Sequence, residues 1–137
     1  MDRLFLDANV LFSAAYNPTS PLIRLWELSE VVLISSAYAV QEARQNLAVH
    51  RPNRLGELEH LVKKLYLVDA SPNTTVVAGV VGLPEKDLPI LLAAIEAKAT
   101  HLLTVDKKHF DFLYGETVGG VLITTPGDYL RGRSGQT

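Results

Sequence analysis

Apolar residues in this chain come in two textures that alternate along its length. The runs Leu4-Phe5-Leu6, Val31-Val32-Leu33-Ile34, Leu65-Tyr66-Leu67-Val68-Asp69, His101-Leu102-Leu103-Thr104-Val105 and Val121-Leu122-Ile123-Thr124 are short and continuous. Such runs predict strands of a parallel sheet covered on both faces. Between them, apolar positions recur at helical spacing. A helix is expected after Asp7 through Ala14 and Ala15, broken by Asn17-Pro18-Thr19-Ser20-Pro21. Ser20 followed by Pro21 is a helix start, with Leu22, Leu25, Trp26 and Ser29 on one face. Ser35 and Ser36 can cap a helix from Ala37 to His50, and Leu55, Leu58, Leu61, Val62 and Leu65 mark an amphipathic helix over 53–65. Leu88, Leu91, Leu92, Ile95 and Ala99 mark the buried face of another, over 88–99. Gly119-Gly120 is a turn before the last strand, and Asp128-Tyr129-Leu130 opens a short final helix. Residues 70–83 follow no single period, and 84–87 form a loop. Strands alternating with helices predict an α/β fold with helices on both faces of the sheet. The expected organisation is a single domain over 1–130 and a polar, fraying tail over 131–137.

Composition narrows the class without deciding it. At 137 residues and 47% hydrophobic content the chain can bury one sizeable core. Thirteen basic residues against 15 acidic ones leave a net charge of -2, so no global basic surface announces nucleic-acid binding. A few cations around an acidic pocket remain compatible with it. The absence of cysteine excludes disulfides, thiolate metal sites and cysteine nucleophiles. Asp2 and Arg3 precede an apolar run too short for a signal peptide, and no run approaches the ~20 residues of a membrane span. A soluble, cytoplasmic protein is the expectation.

The acids carry the chemistry. Asp7 ends the first strand, Asp106 ends the fourth, Asp87 opens the helix before it, and Glu42 lies inside the helix after the second strand. Ligands of open α/β sheets bind outside the carboxyl ends of the strands, so these groups can converge there. Clustered carboxylates repel one another unless a cation joins them. Oxygen ligands suit Mg²⁺ or Mn²⁺, and a carboxylate-held ion suits phosphodiester hydrolysis. Each acid also has a local reading. Asp7 and Asp87 can cap helices, Asp106 can make an Asx turn, and Glu42 can be a solvated helix residue. Asp111 is close enough to Asp106 to be an auxiliary ligand, whereas Asp69 and Asp128 read as surface residues.

The order Leu-Asp-Ala-Asn-Val-Leu, helical Glu42, Asp87 opening a small-residue helix, Leu-Leu-Thr-Val-Asp over 102–106 and the closing Val-Leu-Ile-Thr-Thr-Pro-Gly-Asp-Tyr-Leu run resembles the PIN-domain ribonucleases, including VapC-like toxins. The resemblance implies a three-layer α/β/α sandwich with a mostly parallel central sheet. It implies an acidic pocket of Asp7, Glu42, Asp87 and Asp106 that binds Mg²⁺ or Mn²⁺ and cleaves RNA. It also implies a homodimer and a small antitoxin partner, in keeping with Trp26 and the leucine stripes, which offer much apolar surface for one small sheet. Asn9 matches the polar residue that follows the first acid, and Thr104 the hydroxyl residue two before the last. After Asp106 the chain departs from many toxins with Lys107-Lys108-His109-Phe110-Asp111. Lys107 and Lys108 are candidate RNA-backbone ligands or a solvated turn; His109 can touch substrate or pack under its loop. Arg44, two residues from Glu42, falls on another helix face. Tyr16, Trp26 and Tyr38 read as core or interface residues.

Two other classes compete. A phosphotransfer protein also carries Asp at strand ends, but Asn9 stands where a phosphatase has its second Asp, and Val121–Thr124 lacks the lysine of receiver domains. A non-catalytic PIN-like binding module is the other alternative, against which the presence of all four acids argues.

Overall fold

A computed structural model of the chain describes residues 1–68, 88–106 and 113–134. Strands β1 (Asp2–Leu6), β2 (Val31–Ser36), β3 (Tyr66–Val68), β4 (His101–Leu103), β5 (Thr117–Val118) and β6 (Val121–Thr124) form one sheet in the order β3-β2-β1-β4-β6-β5. All pairings are parallel except β5 with β6. β1 is central, and Leu4, Phe5 and Leu6 are wholly buried, which is why that run shows no polar alternation. The order runs from β1 to β2 on one side and jumps to β4 on the other. The gap between the carboxyl ends of β1 and β4 is thus the switch point at which such sheets open a crevice.

The helices are α1 (Ala8–Tyr16), α2 (Ala37–His50), α3 (Leu55–Val62), α4 (Leu88–Glu96) and α5 (Pro126–Ser134). Their starts follow the side chains that satisfy the first amides. Asp7 accepts from the Ala8 N–H, and the Ser36 hydroxyl accepts from the Ala39 N–H at 3.1 Å. Ser35 is not a cap: its hydroxyl donates to the Leu6 carbonyl at 2.8 Å, tying β2 to the end of β1.

The structure departs from the expected elements at several places. β4 ends at Leu103, so Asp106 stands in the turn after it rather than at the strand's end, and α3 ends at Val62 rather than Leu65. Pro21–Glu27, started by Ser20 as expected, is a 3₁₀ helix, and its Trp26 donates from the indole to the Leu61 carbonyl at 3.1 Å. Trp26 is therefore engaged inside the chain, packed against the core, and lends no weight to a dimer surface. Pro52–Arg54 is likewise a separate 3₁₀ turn ahead of α3. α4 stops before Ala99 because Lys98 turns left-handed at φ 57, with Lys98 N–H on the Ile95 carbonyl and Ala99 N–H on the Ala94 carbonyl, a Schellman ending. β5 is added ahead of Gly119-Gly120, whose positive φ values make the tight hairpin. Gly119 also lies against Ile95, which a Cβ would meet at 2.9 Å. Finally, α5 continues past Leu130 to Ser134, so residues 131–134 are helix rather than tail. Among the described residues no helix is long and apolar enough to cross a membrane.

Candidate acidic site

The candidate site is built where β1 runs out. The Asp7 N–H extends the pairing with β4 by donating to the Leu103 carbonyl at 3.1 Å. This holds Asp7 at the mouth of the crevice while leaving only 3% of it exposed. Its Oδ1 accepts the Ala8 N–H at 2.6 Å. Its Oδ2 accepts the Thr104 hydroxyl at 2.8 Å and the Asn9 amide at 3.3 Å. Asp7 is thus both the helix cap of the local reading and a wall of the crevice.

Asn9 and Thr104 tie the two strand ends together. The Thr104 Oγ1, fully buried, donates to Asp7 and accepts the Asp106 N–H at 3.1 Å. Asn9 Oδ1 accepts the Val105 N–H at 3.1 Å, and its Nδ2 reaches Thr104 Oγ1 at 3.2 Å. The first turn of α1 and the turn after β4 are therefore locked in register, and the Asp106 carboxyl is carried to the same side as Asp7.

Asp7, Glu42 and Asp106 line one open cavity of about 340 Å³. They come from the end of β1, the middle of α2 and the turn after β4. The same cavity is lined by Phe12 of α1 and by Asn46 and His50 of α2, three residues the sequence reading missed. A signal for two of them was there: 42, 46 and 50 recur at i, i+4 and i+8, so their side chains share one helix stripe. Arg44 lies off that stripe, paired with Glu59 of α3 at 2.7 Å on the surface, where its guanidinium holds the Glu59 carboxyl below the usual carboxylate range. Asp87, Lys107, Lys108, His109 and Asp111 fall outside the described residues.

The donors are mainly hard oxygens: three carboxylates, with the amides of Asn9 and Asn46 and the imidazole of His50 in the same lining and no thiol in the chain. Among the described residues, no three acids or histidines stand close enough to hold an ion directly. That set still fits Mg²⁺, which keeps several waters and is typically held by one or two carboxylates rather than a closed cage.

Residues 3–108 match the family model of the PIN domain. The chain belongs to the PIN-domain family. Solved structures with the PIN fold superpose on it over nearly their full length. VapBC2 of Rickettsia felis, bound to a DNA fragment from its promoter, matches with a TM-score of 0.68 at 17% identity, covering 90% of this chain and 98% of that one. VapC20 of Mycobacterium tuberculosis, a toxin that cleaves the sarcin-ricin loop, gives 0.62 at 10% identity, covering 84% and 98%. VapBC-1 of nontypeable Haemophilus influenzae gives 0.59 at 16% identity, covering 91% and 98%. No curated protein sequence matches this chain. The PIN fold accounts for the mostly parallel sheet and for the layered helices expected from the strand–helix alternation.

Proposed function

We propose that this PIN-domain protein is a metal-dependent endoribonuclease that hydrolyses RNA phosphodiester bonds in the acidic pocket. The observation that carries the reading is the meeting of Asp7, Glu42 and Asp106, from three separate elements, around one crevice at the sheet's switch point. Asp7, Glu42 and Asp106, with Asp87, are the residues that would hold Mg²⁺ or Mn²⁺, directly or through water. Such an ion, when bound, lowers the pKa of water and offsets charge developing on the phosphate. Asn9 and Thr104 act as positioning residues. Their hydrogen bonds fix the Asp7 carboxylate and keep the turn bearing Asp106 beside it. Asp7 is buried and accepts hydrogen bonds on both oxygens, which supports a role as a fixed anionic wall over one as an exposed nucleophile. Lys107, Lys108 and His109, just beyond Asp106 in the chain, are proposed to meet the RNA backbone, and Asp111 to serve as an auxiliary acid.

We further infer a toxin role in the cytoplasm, as a homodimer restrained by a small antitoxin. VapBC2 and VapBC-1, which share the fold, were solved as VapBC structures, and VapC20 is a sarcin-ricin loop cleaving toxin. The test is Mn²⁺ titration by calorimetry beside RNA cleavage on a gel. Cleavage that EDTA blocks, and Mn²⁺ binding lost in Asp7→Asn and Asp106→Asn, are expected. Mn²⁺ binding with RNA left intact would instead favour a non-catalytic binding module.

A further inference from the structure

A second cavity, about 360 Å³, adjoins the acidic one along α1, and Phe12 lines both. Its character differs. Ser13, Asn17 and Thr19 bring uncharged hydroxyl and amide groups, and Tyr16 joins Phe12 as a second ring. The two rings lie 5.3 Å apart and tilted, and His50, from the wall of the acidic pocket, meets Phe12 edge-on at 6.0 Å. Cations gather at the same end of α1. The Arg51 guanidinium sits 5.0 Å over the Tyr16 ring and donates to the Tyr16 carbonyl at 2.9 Å. Arg54 donates to the Ala15 carbonyl at 2.8 Å. These bonds hold both arginines against a helix C-terminus, where positive charge is favoured.

We infer that this groove is a base-binding subsite for the nucleotide next to the cleaved phosphate of single-stranded RNA. The inference rests on the ribonuclease reading of the adjoining pocket and adds to it the position at which the substrate is gripped. Three features fit this occupant. Aromatic rings stack unpaired bases, uncharged hydroxyls and amides hydrogen-bond their edges, and a flanking pair of arginines suits the backbone. The groove is also continuous with the acids through Phe12, and Phe12 lies about 7 Å along the helix axis from Asp7. A base seated on Phe12 or Tyr16 would therefore place a neighbouring phosphate towards the carboxylates. Tyr16, read from sequence as core or interface, becomes a substrate contact.

The test uses single-stranded RNA with 2-aminopurine at successive positions, mixed with the full chain and Mn²⁺ in a stopped-flow cell. Stacking is expected to quench one labelled position before any cleavage. Tyr16→Leu should lose the quench and bind about tenfold more weakly, and Tyr16→Phe should restore both. An abasic ribose at that position should weaken binding to the unaltered protein by a similar factor and make no difference to Tyr16→Leu. The abasic arm needs no variant, so it stands even if Tyr16→Leu folds poorly. Absence of quenching at every position, or equal binding of abasic and intact RNA, would overturn the subsite, including in favour of a peptide occupant. Cleavage is scored separately: RNA cut without quenching sinks the subsite alone, and quenching without cutting sinks the hydrolytic reading alone.

Discussion

β1 carries an aspartate at each end, and the fold handles the two in opposite ways. Asp2, at the amino end, meets the C-terminal helix. The Tyr129 hydroxyl donates to it at 2.6 Å, Arg133 stands 3.9 Å away, and the same arginine reaches the Ser29 carbonyl at 3.2 Å. His101 packs edge-on against Tyr129 at 5.0 Å. This is a clasp in which acid, phenol and guanidinium satisfy one another and pin α5 across the sheet. Asp7, at the carboxyl end, takes hydrogen bonds from the Ala8 amide N–H, Asn9 and Thr104, and shares a cavity with two further carboxylates. One end of a single strand thus ties a helix to the sheet, while the other brings three carboxylates from separate elements to the wall of one cavity. Where residues are arranged for function rather than for stability, replacing them tends to cost activity more than stability.

The largest contrast is expected from Asp7→Asn. RNA cleavage should fall by more than about 100-fold, on the scale of several kcal/mol of lost charge stabilisation. The melting temperature should fall only by what the loss of one buried acceptor brings, about 1–3 kcal/mol, because Asn can accept on one side alone. Unchanged cleavage in a destabilised Asp7→Asn would show that the carboxylate is chiefly structural and would erase the contrast. Tyr129→Phe is the mirror experiment. It removes a hydrogen bond to a carboxylate, so stability should fall by about 1.5–3 kcal/mol, read by urea denaturation, while cleavage stays at the wild-type rate.

The clasp should also print itself on the pH dependence of stability. Burial pushes the Tyr129 phenol up to about 12, reinforced by Asp2. A raised value in the fold means that its contribution is complete below pH 10 and is lost as the pH climbs from there towards about 12. Burial pulls His101 below its usual 6.5, against the opposing pull of Asp2. A lowered value means that the neutral ring is favoured in the fold, so stability present above 6.5 is lost as the pH falls through the folded value. Thermal melts across pH should show both shoulders, and Tyr129→Phe should abolish the alkaline one. The smallest effect belongs to Arg44→Gln. The Arg44–Glu59 pair is about two-fifths exposed on each side, so its loss should cost less than about 1 kcal/mol in the same denaturation assay.

Much of the acidic end was legible in the sequence because strand ends announce themselves. An apolar run that stops on Asp, as at Leu6-Asp7, places the carboxyl at the sheet edge by itself. Thr104 and Asn9 could be matched to a family pattern, but their work depends on β1 and β4 being neighbours, which no local window contains. The clasp was invisible for the same reason: Asp2, Tyr129 and Arg133 meet only because α5 continues to Ser134, past the polar composition that reads as a fraying tail. β5 is two residues long, below any periodicity. His50 and Asn46 followed the Glu42 stripe at helical spacing, and that spacing was the available clue.

The Thr104 hydroxyl works as a gauge block. Its proton goes to the Asp7 carboxylate while its lone pairs take the Asp106 backbone N–H and the Asn9 amide, so the chain at two acids 99 positions apart is held within reach of a single oxygen. A chain that lengthened the segment between Leu103 and Asp106 by one residue would lose that calibration outright. One lengthened at the exposed turn around Gly115 would leave those bonds in place. Among homologues and laboratory insertions alike, tolerance to length change should therefore drop sharply at residues 103–106.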